Sequence, residues 1–181
     1  NKLDKGLRYV KRHAKFIKEV LIDSGVEIFR NPIVKEYPLG PEGQVDYATE
    51  VYFAIREEIP GIKVIVTIAD YPDDYHPYNL WINEEKTNIE RTIDNIVYAI
   101  DNYPDVPWLI PVQGHNKNPF SIERAISQLE ELGVTKRYRR FAIANLCVEQ
   151  DIDIIIMTLR VARTLLRNKH IHSFGLHMKS I

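Results

Sequence analysis

The chain has 181 residues, of which 45% are hydrophobic and 27% are charged, proportions typical of a globular protein. Its formal net charge of −1 excludes a global basic field for non-specific nucleic-acid binding. The single Cys147 excludes an internal disulfide, and no apolar run has the length of a membrane span. We therefore expect one cytoplasmic domain, residues 1–181, with no membrane association and no cofactor.

Helical stripes of apolar residues alternate with short, continuously apolar runs along the chain. The stripes have the 3–4 spacing of amphipathic helices and cover Leu3–Ile17, Val45–Ile55, Ile89–Ile100, Ile122–Leu132 and Ile152–Leu166. The continuous runs predict parallel strands covered on both faces, and they begin near Glu19, Lys63, Pro107, Arg139 and His170. Repeated βα units are therefore the predicted organisation.

Local signals predict where two helices begin or end. Thr87 to Glu90 reads TNIE, a capping box that starts the third stripe. Asn118-Pro119 suits the start of the next helix, and Gly133 suits its C-terminal cap. A proline- and glycine-rich segment, 29–44, and an aromatic segment, 71–86, predict the two longest loops.

Repeated βα units give either a closed (β/α) barrel or an open doubly wound sheet. No GxGxxG follows a predicted strand, which argues against a dinucleotide-binding fold. A complete barrel has eight strands and about 250 residues, whereas five strand-like runs are present here. We predict an α/β, TIM-barrel-like domain that is incomplete, with about five βα units, and lacks the first and last barrel strands.

Polar functional groups follow four of the predicted strands: Asp23, Asp70, Gln113 and Asn145. The carboxyl ends of barrel strands meet at one mouth, so these side chains are expected to converge. Carboxylates accept N–H donors, and an amide both donates and accepts, so the set suits a planar base such as guanine. Each aspartate could instead serve as a helix cap or a loop anchor.

The segments LIDSG, PVQG, FAIANL and IHSFGLHMK, with Asp70 between the first two, occur in an order that resembles the tRNA-guanine transglycosylase superfamily. The resemblance runs from about Val20 to Lys179. It implies a (β/α)8 barrel that exchanges guanine in tRNA or DNA for a 7-deazaguanine through an aspartate nucleophile. It implies that Asp23 is a catalytic acid/base. It also implies base contacts by Asp70, Gln113, Gly114, Asn145 and Leu146.

The sequence departs from the family's pattern at two points. Val26-Glu27-Ile28 stands where the family has Gly-Phe-Gln, so Phe29 or Tyr71 is expected to replace the stacking aromatic. The family's nucleophile lies on the strand after Phe174-Gly175, so we expect little base exchange by this chain alone. His115 directly follows the QG pair and is a further predicted ligand contact. The aromatic loop adds Tyr75, Tyr78 and Trp81 as residues that could cover the ligand.

Two other functions remain open at this stage. The first is a catalytically incomplete remnant that binds nucleic acid or a partner, with a homodimer covering exposed barrel edges. The second is a metal-dependent barrel hydrolase that uses the HxH pair His170 and His172 with an aspartate and another histidine, which could be His76, His115 or His177. The zinc-binding cysteines of the tRNA enzymes are absent, and we predict no metal site.

Overall fold

Five parallel strands form the centre of the computed structural model, which describes residues 2–31, 33–73, 86–115 and 117–175. The strands are β1 (Glu19–Ile22), β2 (Lys63–Thr67), β3 (Trp108–Val112), β4 (Arg140–Ile143) and β5 (His170–Ser173). Each begins within one residue of its predicted start. The calls on Tyr75, His76, Tyr78, Trp81 and His177 lie outside the described residues.

Helices connect the strands. They are α1 (Lys2–His13), α2 (Gly40–Glu58), α3 (Asn88–Asn102), α4 (Ile122–Glu131), α5 (Val134–Arg137) and α6 (Ile152–Leu166), with 3-10 turns at Ala14–Phe16, Val26–Arg30 and Pro119–Ser121. The Thr87–Glu90 capping box is present at α3, as predicted. Helix α2 starts earlier than predicted, inside the proposed 29–44 loop, and Pro41 lies in its first turn. Proline is favourable there, because it has no N–H group and the N–H groups of a first turn have no partner within the helix.

The strand order favours one of the two architectures that the sequence left open. The strands lie in the order β1-β2-β3-β4-β5, and each pairs in parallel with its neighbour in sequence. A doubly wound sheet reverses its strand order at a switch point, and this sheet does not. The five strands instead curl into a half-barrel, as an incomplete (β/α) barrel requires.

The two faces of the sheet have different cores. Alternate strand residues such as Val64, Val66 and Ile110 pack against the helices in the main core. On the inner face, Ile65, Leu109 and Ala142 form a small cluster against which Phe174 packs. The central strands β2 to β4 are thus covered on both faces, which explains their continuously apolar sequences.

Candidate functional site

The predicted site residues lie at one edge of the half-barrel because all five strands run in the same direction. Asp23 directly follows β1, Gln113 directly follows β3, and Phe174 directly follows β5. Asp70 and Asn145 lie shortly beyond the ends of β2 and β4. The carboxyl ends of the strands therefore form a mouth, which is where ligand sites of α/β barrels are found.

A cavity of about 240 Å³ opens at this mouth. Its wall comes from the loops after β1, β2, β4 and β5, and includes Asp23, Ser24, Asp70, Pro72, Ala144, Cys147, Phe174 and Gly175. This volume lies below the roughly 300–1,000 Å³ range of pockets for drug-sized ligands. The cavity therefore suits a ligand about the size of one heteroaromatic base.

The DSG segment forms the first wall of the cavity. Gly25 has φ +85°, a left-handed conformation that glycine adopts without strain, and it begins the 3-10 turn Val26–Arg30. The side-chain amide of Gln44 donates a hydrogen bond to the Ser24 carbonyl at 3.1 Å. These contacts fix the loop, so the exposed Asp23 is held at the cavity wall.

Asp70 and Gln113 are joined directly and are both buried. Gln113 Nε2 donates to Asp70 Oδ2 at 2.5 Å, and the two residues are 2% and 3% exposed, respectively. Tyr37 donates its hydroxyl to the Asp70 carbonyl at 2.8 Å, which fixes the backbone. Gln113 Oε1 accepts no hydrogen bond from the described residues. An orphaned buried acceptor of this kind costs roughly 1–3 kcal/mol. Gln113 does not itself line the cavity, and it contacts the cavity wall through Asp70.

Gly114, Asn145 and Leu146 form the support of the mouth. A Cβ at Gly114 would lie 2.9 Å from Asn145 Nδ2, so only glycine lets these two residues pack together. Leu146 is a buried core residue. None of the three lines the cavity, whereas their neighbours Ala144 and Cys147 do. Sequence reasoning missed these two wall residues, because small and apolar side chains carry no functional signal.

Tyr71 lies in the core and not at the cavity. It is 0% exposed, and its hydroxyl donates to Glu36 Oε1 at 2.5 Å. The Arg91 guanidinium lies 3.6 Å from the centre of its ring and also pairs with Glu36. Burial raises the pKa of the Tyr71 phenol, and the hydrogen bond to Glu36 adds to the shift. Phe29 is likewise buried in the core, so neither proposed stacking residue reaches the cavity.

Phe174 is the aromatic residue that does line the cavity. It packs on the inner-face cluster and contacts the ring of His172 edge-on, with ring centres 4.6 Å apart. Gly175 beside it has φ +74°, and a Cβ there would lie 2.4 Å from Cys147 Cα. The Phe-Gly pair therefore places an aromatic side chain against the loop that follows β4.

His115 forms a hydrogen bond with a carboxylate that sequence reasoning missed. His115 Nδ1 lies 2.8 Å from Asp73 Oδ2, and Asn88 Nδ2 donates to Asp73 Oδ1 at 2.6 Å. Burial raises the pKa of Asp73, while the hydrogen bonds from His115 and Asn88 act against the shift. The three residues come from three separate segments, so their spacing in the sequence gave no signal of the contact.

The HxH pair lines a different cavity from the mouth, although the His172 ring contacts Phe174. His170 and His172 line a second cavity of about 310 Å³ on the inner face, together with Lys63 and Arg140 at the amino ends of their strands. Within the described residues, no group of three or more His, Cys, Asp or Glu side chains is placed to hold a metal ion. Of the histidines that could complete the predicted metal set, His76 and His177 lie outside those residues, and His115 bonds with Asp73.

No family model, curated protein or solved structure matches this chain. The chemical interpretation of the site therefore depends on its residues and their geometry.

None of the helices in the described part of the chain is long and apolar enough to cross a membrane.

Proposed function

We propose that the mouth of the half-barrel binds guanine or a 7-deazaguanine, in the manner of a tRNA-guanine transglycosylase-like base-exchange protein. The observation that carries the proposal is the placement of Asp23 and Asp70 on one small cavity. Asp70 is held by Gln113, whose own amide oxygen is left without a partner among the described residues. The carboxylate oxygens of Asp23 and Asp70 match the N–H donors of a guanine edge.

The aromatic wall of the cavity supports the same ligand class. Phe174 lines the same cavity as Asp23 and Asp70. A base that bonds with the carboxylates and stacks on Phe174 would bury both its polar edge and one of its faces. Stacking of a base on an aromatic side chain contributes about 1–3 kcal/mol. In this proposal Asp23, which is the more exposed carboxylate, exchanges protons with the ligand, and Asp70 recognises its edge.

Calorimetry with guanine and 7-deazaguanine tests the proposal. Asp70→Asn is expected to weaken binding at least about tenfold, because a hydrogen bond to a charged group contributes about 1.5–3 kcal/mol. The control is Asp105→Asn, which makes the same chemical change in an exposed loop before β3, at the other end of the strands. A wild-type chain that binds neither base, or equal binding by the two variants, would refute the proposal.

A second candidate function is binding of a partner or of nucleic acid without base exchange. The observation that favours it is the exposure of the outer strands: Leu21 of β1, on the inner face, is 39% exposed. Both β1 and β5 alternate between exposed and half-buried residues. Open strand edges of this kind are normally covered. Light scattering that shows a monomer at high protein concentration would count against a homodimer on this surface.

A further inference from the structure

The pair formed by Asp73 and His115 is held rigidly from several sides. The Asp73 side chain is 2% exposed and bonds with both His115 and Asn88. Asn88 is the first residue of α3, whose start is fixed by the Thr87 capping box. The backbone N–H of His115 donates to Ser121 Oγ at 2.7 Å. The imidazole is therefore oriented before any ligand binds.

The chemistry of the pair determines which nitrogen of His115 faces outward. An ionised carboxylate only accepts hydrogen bonds, so Nδ1 of His115 carries the proton that is shared with Asp73. In the neutral ring, Nε2 is then a hydrogen-bond acceptor. The His115 side chain is 35% exposed, and the described residues supply no hydrogen bond to Nε2. An oriented acceptor is thus presented at the protein surface.

The pair lies beside the proposed base site. Two side-chain bonds join the loops after β2 and β3: Asp70 with Gln113, and Asp73 with His115. Pro72, which lies between the two aspartates, lines the cavity. The bond between Asp70 and Gln113 is buried, and the bond between Asp73 and His115 is partly exposed. His115 does not itself line the cavity, but through Asp73 it is joined to the loop that carries the wall residues Asp70 and Pro72.

We propose that His115, oriented by Asp73, accepts a hydrogen bond from a sugar hydroxyl of the bound ligand, so that the site distinguishes a guanine nucleoside from the free base. This inference rests on the proposed function, because it assumes that the base binds at Asp70. Asp73 is then a positioning residue, and His115 is a specificity-determining residue. Neither role is assigned to the pair by the family resemblance.

The test compares guanine with guanosine by calorimetry on wild type, His115→Asn and His115→Gln. Asparagine keeps an N–H donor for Asp73 but has no counterpart of Nε2, whereas glutamine has the reach to place an oxygen near that position. We expect His115→Asn to weaken guanosine binding about fivefold to tenfold and to leave the affinity for guanine unchanged. We expect His115→Gln to bind guanosine with an affinity between those of His115→Asn and wild type. Melting temperatures check that both variants are folded.

Deoxyguanosine identifies the hydroxyl: a loss seen only with guanosine assigns the 2′-hydroxyl, and an equal loss with both nucleosides assigns another one. If His115→Asn weakens guanine and guanosine by the same factor, or weakens neither, this inference is overturned while the proposed function stands. A wild-type chain that binds no guanine compound overturns both this inference and the proposed function.

Nitrogen NMR gives an independent result. The inference requires the Nδ1–H form of His115 in wild type. It requires the Nε2–H form in Asp73→Asn, because the Asn88 donor keeps the amide oxygen of residue 73 on its own side and turns the amide N–H of the asparagine toward Nδ1. Identical tautomers in the two proteins would overturn the positioning role of Asp73, whatever the affinities are.

Discussion

Substitution of Gly114 by alanine tests the packing beneath the mouth. A Cβ at this position would lie 2.6 Å from Ser121 Oγ, 2.8 Å from Ile122 Cγ2 and 2.9 Å from Asn145 Nδ2. Ile122 is fully buried, and Ser121 is held through its bonds to His115 and Asn118, so the neighbours have little room to move. The loop that carries Gln113 and His115 must therefore shift.

Overpacking of this kind costs about 1–3 kcal/mol of unfolding free energy. For a chain of this size, a loss of 2 kcal/mol lowers the melting temperature by roughly 4–8 °C. Gly6→Ala is the matched control, because Gly6 lies exposed in α1 with no atom within 4 Å of the added Cβ. That change is expected to stabilise the helix by about 0.5–1 kcal/mol. Thermal unfolding, followed by circular dichroism, measures the melting temperatures of both variants. A Gly114→Ala protein as stable as wild type would refute the packing argument.

Two further substitutions test the surroundings of the site. Thr87→Ala removes the α3 cap and is expected to lower the unfolding free energy, measured by chemical denaturation, by about 1 kcal/mol. The control Thr164→Ala, on the exposed side of α6, should change it by less than about 0.5 kcal/mol. Equal losses of stability in the two variants would contradict the capping role. Tyr71→Phe removes the hydroxyl bond to Glu36 and should cost about 0.5–1.5 kcal/mol while leaving guanine affinity unchanged. A fall in affinity without a loss of stability would instead place Tyr71 in the ligand site.

The fold could be predicted from the sequence wherever one local signal was decisive. Lys63–Thr67 is an example: its continuously apolar sequence predicts a strand covered on both faces, and the strand is buried from Val64 onward. The Thr87 capping box and Gly133, which has φ +74°, mark helix ends through their own backbone chemistry. The short helix Val134–Arg137 was missed because a single turn has no apolar period. The number of strands alone could not give their order, which depends on tertiary packing.

The candidate site was only partly predictable. Asp23 and Asp70 could be placed at one mouth because both follow strands that run in the same direction. Tyr71 was expected to face a ligand, but an aromatic residue in a loop gives no sign of its burial, which depends on contacts with Glu36 and Arg91. The Asp73 contact likewise joins segments that are distant in sequence. Such long-range side-chain pairs need the folded structure.

The most direct test of the central claim is a calorimetric titration of guanine into the wild-type chain and into Asp70→Asn, under identical conditions. We expect guanine to bind wild type at a single site and to bind the variant at least about tenfold more weakly. Absence of binding to wild type, or the same affinity in both proteins, would contradict the assignment of the half-barrel mouth as a guanine site.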